Sequence, residues 1–131
     1  AVNKAVRRYR MIADGTRIAQ GCVIERSLIG VRSMIGRNCR LTDTVVIGSD
    51  RFETEAERAA NRAAARPDLN IGEGTEIRMA ILDKDCRIGK NVKILNVEGK
   101  QEFDEPRGHY HIREGIVCVP RGAIIPDGTV I

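Results

Sequence analysis

The stretch IGRNCRLTDTVVIGSD at residues 35–50 lines up with IGEGTEIRMAILDKD at residues 71–85. Both open Ile-Gly, carry Asn or Gly at the fourth position and a small residue at the fifth, and place an aliphatic residue at the seventh. The same division runs along the chain: IADGTR from Ile12, IAQGCV from Ile18, IERSL from Ile24, IGVRSM from Ile29, IGRNCR from Ile35, LTDTVV from Leu41, then Ile47. It resumes with IGEGTE from Ile71, IRMAI from Ile77, LDKDCR from Leu82, IGKNVK from Ile88 and ILN from Ile94, and closes with VPRGAI from Val119, IPDGTV from Ile125 and Ile131. Ile18 and Ile35 stand 17 residues apart, as do Ile71 and Ile88, because each interval contains one five-residue unit.

A six-residue aliphatic period fits neither the 3.6 of a helix nor the 2 of an alternating hairpin, but it suits a solenoid whose unit is one short strand and one corner. Three units make a triangular coil. The leading aliphatic residue points inward and stacks on its equivalents, so stability accumulates between neighbouring coils. Gly or Asn at the fourth position, as at Gly15, Gly21, Asn38, Gly74, Asn91, Gly122 and Gly128, tolerates the positive φ of a corner. Hexapeptide repeats of this kind resemble the left-handed parallel β-helix. The expected fold is therefore all-β, and its hand comes from that resemblance, since ordinary parallel crossovers are right-handed.

Composition supports an aliphatic core: the 131 residues include no Trp, two Tyr and two Phe, with 13 Gly for corners. Cys22, Cys39 and Cys86 share the small fifth position, and with Cys118 they lack CxxC spacing, so reduced structural thiols are expected rather than metal ligands or disulfides. No metal is expected here. The net charge of +4 is interleaved and few aromatic residues accompany it, which disfavours nucleic acid and leaves small phosphorylated ligands as the expected anionic partners. No apolar run has the length of a membrane span, so no membrane partner is expected and a cytoplasmic location is.

Two segments interrupt the period. Residues 49–70 contain ETEAERAANRAAA before Arg66-Pro67 and are expected to hold a helix of about three turns, starting near Glu53 or Thr54 and ending before Pro67. Residues 97–115, with Phe103, His109, Tyr110 and His111, are expected as a long ordered loop and a contact surface. Residues 1–11 are either a linker or the start of the first coil, and residues 12–131 a single β-helix domain.

RSLIGVRSMIG, VVIGSDRFETEAER, IGEGTEIRMAILDKDCRIGKNVKILN and EGIVCVPRGAIIPDGTVI together resemble the C-terminal domain of ADP-glucose pyrophosphorylase, or glucose-1-phosphate adenylyltransferase, most closely its plant and cyanobacterial branch. The likeness runs in order from about Ile18 to Ile131 and includes both interruptions. It implies a complete enzyme that joins ATP and glucose 1-phosphate, with magnesium, into ADP-glucose and pyrophosphate for glycogen or starch. That chemistry belongs to an N-terminal nucleotidyltransferase domain. No glycine-rich phosphate loop or βαβ pattern is present here, so the chain alone is expected to be inactive.

The resemblance further implies a regulatory and oligomerisation domain that binds phosphorylated effectors (3-phosphoglycerate, phosphate or fructose phosphates), contacts its own catalytic domain and assembles as a homo-oligomer. A plastid location would follow for a plant protein. Two effector-binding positions carry over: Lys84 in LDKDCRIG, and Arg121 in VPRGAIIPDG, where the family has lysine. Arginine keeps the charge and adds a planar fork suited to phosphate. Read from the residues alone, third-position side chains such as these point into solvent. Two other functions compete. A free-standing hexapeptide acyltransferase would need His109 or His111 as base, and a ligand-free scaffold would bind no anion at Lys84 and Arg121. A hydratase of this fold needs three His ligands, and the chain has two His.

Overall fold

The computed structural model describes residues 6–8 and 11–131. Its strands, in chain order, are β1 (Val6–Arg8), β2 (Met11–Ile12), β3 (Arg17–Ile18), β4 (Val23–Glu25), β5 (Leu28–Ile29), β6 (Met34–Ile35) and β7 (Arg40–Val46). After helix α1 (Glu55–Ala63) come β8 (Asn70–Ile71), β9 (Glu76–Leu82), β10 (Arg87–Ile88), β11 (Lys93–Ile94), β12 (Glu102–Asp104), β13 (His111–Arg113), β14 (Ile116–Val119) and β15 (Ile124–Ile125). The six-residue repeat thus appears as very short strands separated by corners, and the chain belongs to the all-β class.

Parallel registers sort these strands into three faces. On face A, Ile24 pairs with Leu41, Leu41 with Ile77 and Ile77 with Ile94. Face B stacks Ile12, Ile29, Val46, Leu82 and Val119, while face C stacks Ile18, Ile35, Ile71, Ile88 and Ile125. The seven-residue strands β7 and β9 run through the corner between A and B. Ile24, Leu41, Ile77 and Ile94 have no exposed surface, and each such side chain stabilises the stack by about 1.5–3 kcal/mol. Of residues 1–11, only β1 and Met11 are described; β1 adds to face A beside β4, with Arg7 opposite Ile24.

Ile47 departs from expectation. The six-residue period places it inward, but it is 39% exposed and Val46 is buried at 3%. The A–B corner takes five residues in every coil, Ile24 to Ile29, Leu41 to Val46 and Ile77 to Leu82, so the in-register stack selects Val46. The shorter corner has its own device: Arg26, Asp43, Met79 and Asn96, one per coil, all adopt left-handed backbone with φ of 47°, 50°, 50° and 51°. At the six-residue corners the expected Gly15, Gly21, Asn38, Gly74, Asn91, Gly122 and Gly128 are left-handed, joined by Arg32 and Asp85.

The fifth-position residues do more than fit. Thr16, Cys22, Cys39 and Thr75 each donate a side-chain hydrogen bond to a glycine carbonyl of the next coil, at Gly30, Gly36, Gly72 and Gly89. All four cysteines are free thiols. Burial, reinforced by the charge of Asp83, pushes the Cys86 thiol up to about 12, which suits an inert packing group.

Residues 49–70 leave the corner between faces B and C. Thr54 caps α1: its hydroxyl accepts from the Glu57 amide, and the Glu57 carboxylate accepts from the Thr54 amide. Glu53, its side chain only 4% exposed, ties the helix to the solenoid by accepting from Arg87 at 2.9 Å, from the Leu69 amide at 2.7 Å and from fully buried Asn61 at 2.8 Å. Residues 97–115, expected as a loop, instead contain β12 and β13, which pair antiparallel and continue onto β14. Glu114 and Gly115 both take positive φ, 51° and 78°, the two-residue turn that matches strand twist. The turn places Ile112 opposite Val117, both buried, and Phe103 and Tyr110 pack against the same core.

Candidate functional site

Lys84 and Arg121 occupy the same B–C corner in successive coils, and the Gly122 amide donates to the Lys84 carbonyl at 2.9 Å. Their side chains converge. Lys84 Nζ lies 3.0 Å from Asp50 Oδ1, and Arg121 Nη2 lies 3.1 Å from Asp50 Oδ2. Two cations therefore grip one carboxylate at the point where the helical excursion leaves the solenoid. The hydrogen bond from Lys84 and its charge, helped by the charges of Arg121 and Arg32, hold the Asp50 carboxyl below its usual range.

The surroundings are of mixed sign. Arg32, from the coil above, donates its Nε to the Ser49 carbonyl at 2.9 Å. Asp85 accepts from the Asp50 amide at 3.0 Å and lies 4.0 Å from Arg121, while Asp83 accepts from the Lys84 amide at 2.7 Å. Lys84, Asp50 and Arg121 remain open to solvent, with side chains 44%, 48% and 65% exposed. One point charge and one planar fork face this open cleft, a pairing whose chemistry suits phosphate or carboxylate oxygens. Asp50 was not visible in the sequence reading as a member of this group. It lies 34 residues from Lys84 and 71 from Arg121, and no local motif signals a contact of that range.

Other candidates lie elsewhere. Arg87 is occupied by Glu53 and the Pro67 carbonyl, and Arg113 by Asp104 at 2.6 Å. His109 sits 2.9 Å from Glu105, and His111 belongs to β13, where it pairs with Cys118 of β14. Among the described residues no cluster of three or more His, Cys, Asp and Glu is arranged to hold a metal. Between α1 and face C lies a groove of about 720 Å³, walled by Arg17, Met34, Phe52, Arg58 and Leu69, with the Arg17 guanidinium 4.3 Å from the Phe52 ring.

A second surface was also missed. The residues just before each inward position of face B are Met11, Leu28, Val45, Ile81 and Cys118, paired in register across five coils. Met11, Leu28 and Ile81 are 71%, 47% and 39% exposed, which makes an outward apolar stripe. At the equivalent places face A carries Val23, Arg40, Glu76 and Lys93, and face C carries Arg17, Met34, Asn70, Arg87 and Ile124, so only face B is apolar at every level. The signal was present as the doublets MI, LI, VV, IL and CV.

Residues 1–130 match the family model of the GLGC left-handed parallel β-helix domain. The chain is also 43% identical, over 130 residues and 99% of its length, to the large subunit 1 of glucose-1-phosphate adenylyltransferase, chloroplastic/amyloplastic, of Zea mays. It spans about a quarter, 25%, of that relative.

Proposed function

Because the chain belongs to the GLGC left-handed parallel β-helix domain family, we propose that it is the C-terminal regulatory and assembly domain of a glucose-1-phosphate adenylyltransferase. In this reading the complete enzyme makes ADP-glucose and pyrophosphate from ATP and glucose 1-phosphate, the chemistry resides in a separate nucleotidyltransferase domain, and the present chain turns over neither substrate. The location follows the host: plastid in a plant, cytoplasm in a bacterium.

The observation that carries the regulatory reading is the convergence of Lys84 and Arg121 on one carboxylate. A phosphorylated effector, whether 3-phosphoglycerate, a fructose phosphate or inorganic phosphate itself, takes its anionic group into that cleft and completes its contacts on the catalytic neighbour. It changes the rate only to the extent that it binds the active and inactive arrangements of the two domains differently. In the complete enzyme, Lys84→Glu should raise the effector concentration for half-activation at least tenfold, equivalent to about 1.4 kcal/mol. An unchanged activation curve refutes the assignment.

Assembly is supported by the outward stripe of face B. A continuous run of exposed aliphatic side chains suits a second copy of the same surface or its equivalent in a related subunit.

A further inference from the structure

The cleft is already occupied by the protein's own anion. We propose that Asp50 is a built-in competitor for the effector, an inference that rests on reading the Lys84 and Arg121 cleft as the effector site. Its two carboxylate oxygens divide between the two cations, Oδ1 to Lys84 and Oδ2 to Arg121, as two oxygens of a bound phosphate would.

The backbone fixes it there. The Asp50 amide donates to Asp85 Oδ1 at 3.0 Å, the Ser49 amide donates to the Val31 carbonyl at 3.0 Å, and the buried Ser49 hydroxyl accepts from the Asn70 side chain. The competitor is therefore presented at a fixed local concentration, and no folding event is needed to bring it in. Both ion pairs are solvent-exposed and individually weak. Asp50 consequently does not block the cleft. It sets a threshold, since the apparent affinity for an external anion is the intrinsic one multiplied by the fraction of time the cations are free. A phosphate monoester carries more charge than one carboxylate and displaces it; a ligand bearing a lone carboxylate has no such advantage.

The test is calorimetric titration of the chain with 3-phosphoglycerate and, separately, inorganic phosphate at fixed low ionic strength, comparing wild type, Asp50→Asn, Lys84→Ala and the Asp50→Asn/Lys84→Ala double variant. Asp50→Asn keeps the shape and removes the charge, and a matched melting temperature certifies its fold; Asp50→Ser serves if it does not. The expected result is five- to tenfold tighter binding of both anions to Asp50→Asn, abolished in the double variant. Saturable binding to wild type that depends on Lys84 but is equal or weaker in Asp50→Asn overturns the competitor and leaves the effector site standing. No binding to any variant overturns the competitor in this chain, and the effector site is then judged separately by the Lys84→Glu activation curve of the complete enzyme; a gain that survives in the double variant shows that the anion sits elsewhere and overturns the proposal.

Discussion

Replacing Met79 by Asn should stabilise the protein. Met79 occupies one level of the column at the A–B corner whose other members are Arg26, Asp43 and Asn96, and its φ of 50° lies in the left-handed region. A non-glycine residue there costs roughly 1–2 kcal/mol, and Asn recovers part of that cost because its short polar side chain supports the conformation locally. Its side chain is nearly half exposed at 47%, so little packing is lost. The expected gain is about 0.5–1 kcal/mol, or roughly 2–4 °C in Tm. Met79→Ala separates backbone from side chain, since alanine keeps the left-handed penalty. Urea unfolding at one protein concentration should show a higher midpoint with unchanged slope for Met79→Asn, and Met79→Ala within about 0.5 kcal/mol of wild type. If Asn and Ala shift stability equally, or Asn lowers it, the backbone argument is refuted.

Glu53→Gln removes the carboxylate that holds Arg87, the Leu69 amide and Asn61, and should cost about 2–4 kcal/mol, measured by urea unfolding at neutral pH. Burial alone would raise the Glu53 carboxyl, but those hydrogen bonds and the Arg87 charge hold it below the ordinary value. Its contribution is therefore complete above about pH 4.3 and is lost as pH falls through the depressed folded value, so the variant's deficit should shrink in acid. Ile81→Glu, at the centre of the outward stripe, should convert an oligomer into a 14.5 kDa monomer in sedimentation while leaving far-ultraviolet circular dichroism unchanged. A wild-type chain that already sediments as a monomer counts against the stripe as a self-association surface.

Much of this molecule could be read from the order of its residues, for a physical reason. In a solenoid the contacts repeat at a nearly fixed separation, so a local period carries long-range information. Ile18, Ile35, Ile71, Ile88 and Ile125 were identifiable as one column, and the left-handed Asn38 and Asn91 as corners. The helix start was legible only as Glu53 or Thr54, and the capping box with Glu57 decides for Thr54. The period blurred where a doublet offered two aliphatic choices, and Val46 won over Ile47 because every coil shortens the same corner. Lys84 and Arg121 came from family likeness, and their convergence emerged only with the coil register. Asp50 was invisible because it belongs to an excursion, outside the repeat. Residues 97–115 lack the hexapeptide period, and their Glu114-Gly115 turn is a weaker signal than Asn-Gly.

The meeting of Ser49 and Asn70 has a consequence for what kinds of sequence change the domain can absorb. The two ends of the helical excursion touch beneath it, and Ile35 pairs with Ile71 across the gap as if the intervening residues were absent. Length at this corner is nearly a free variable, since doubling a loop adds only about 0.6 kcal/mol of closure entropy. Length within a strand is not: one residue inserted in β9 between Glu76 and Ile77 would slip that level against β7 and turn its inward side chains toward solvent. Changes of length are thereby channelled to the corner that carries Asp50, while the stack beneath stays the same.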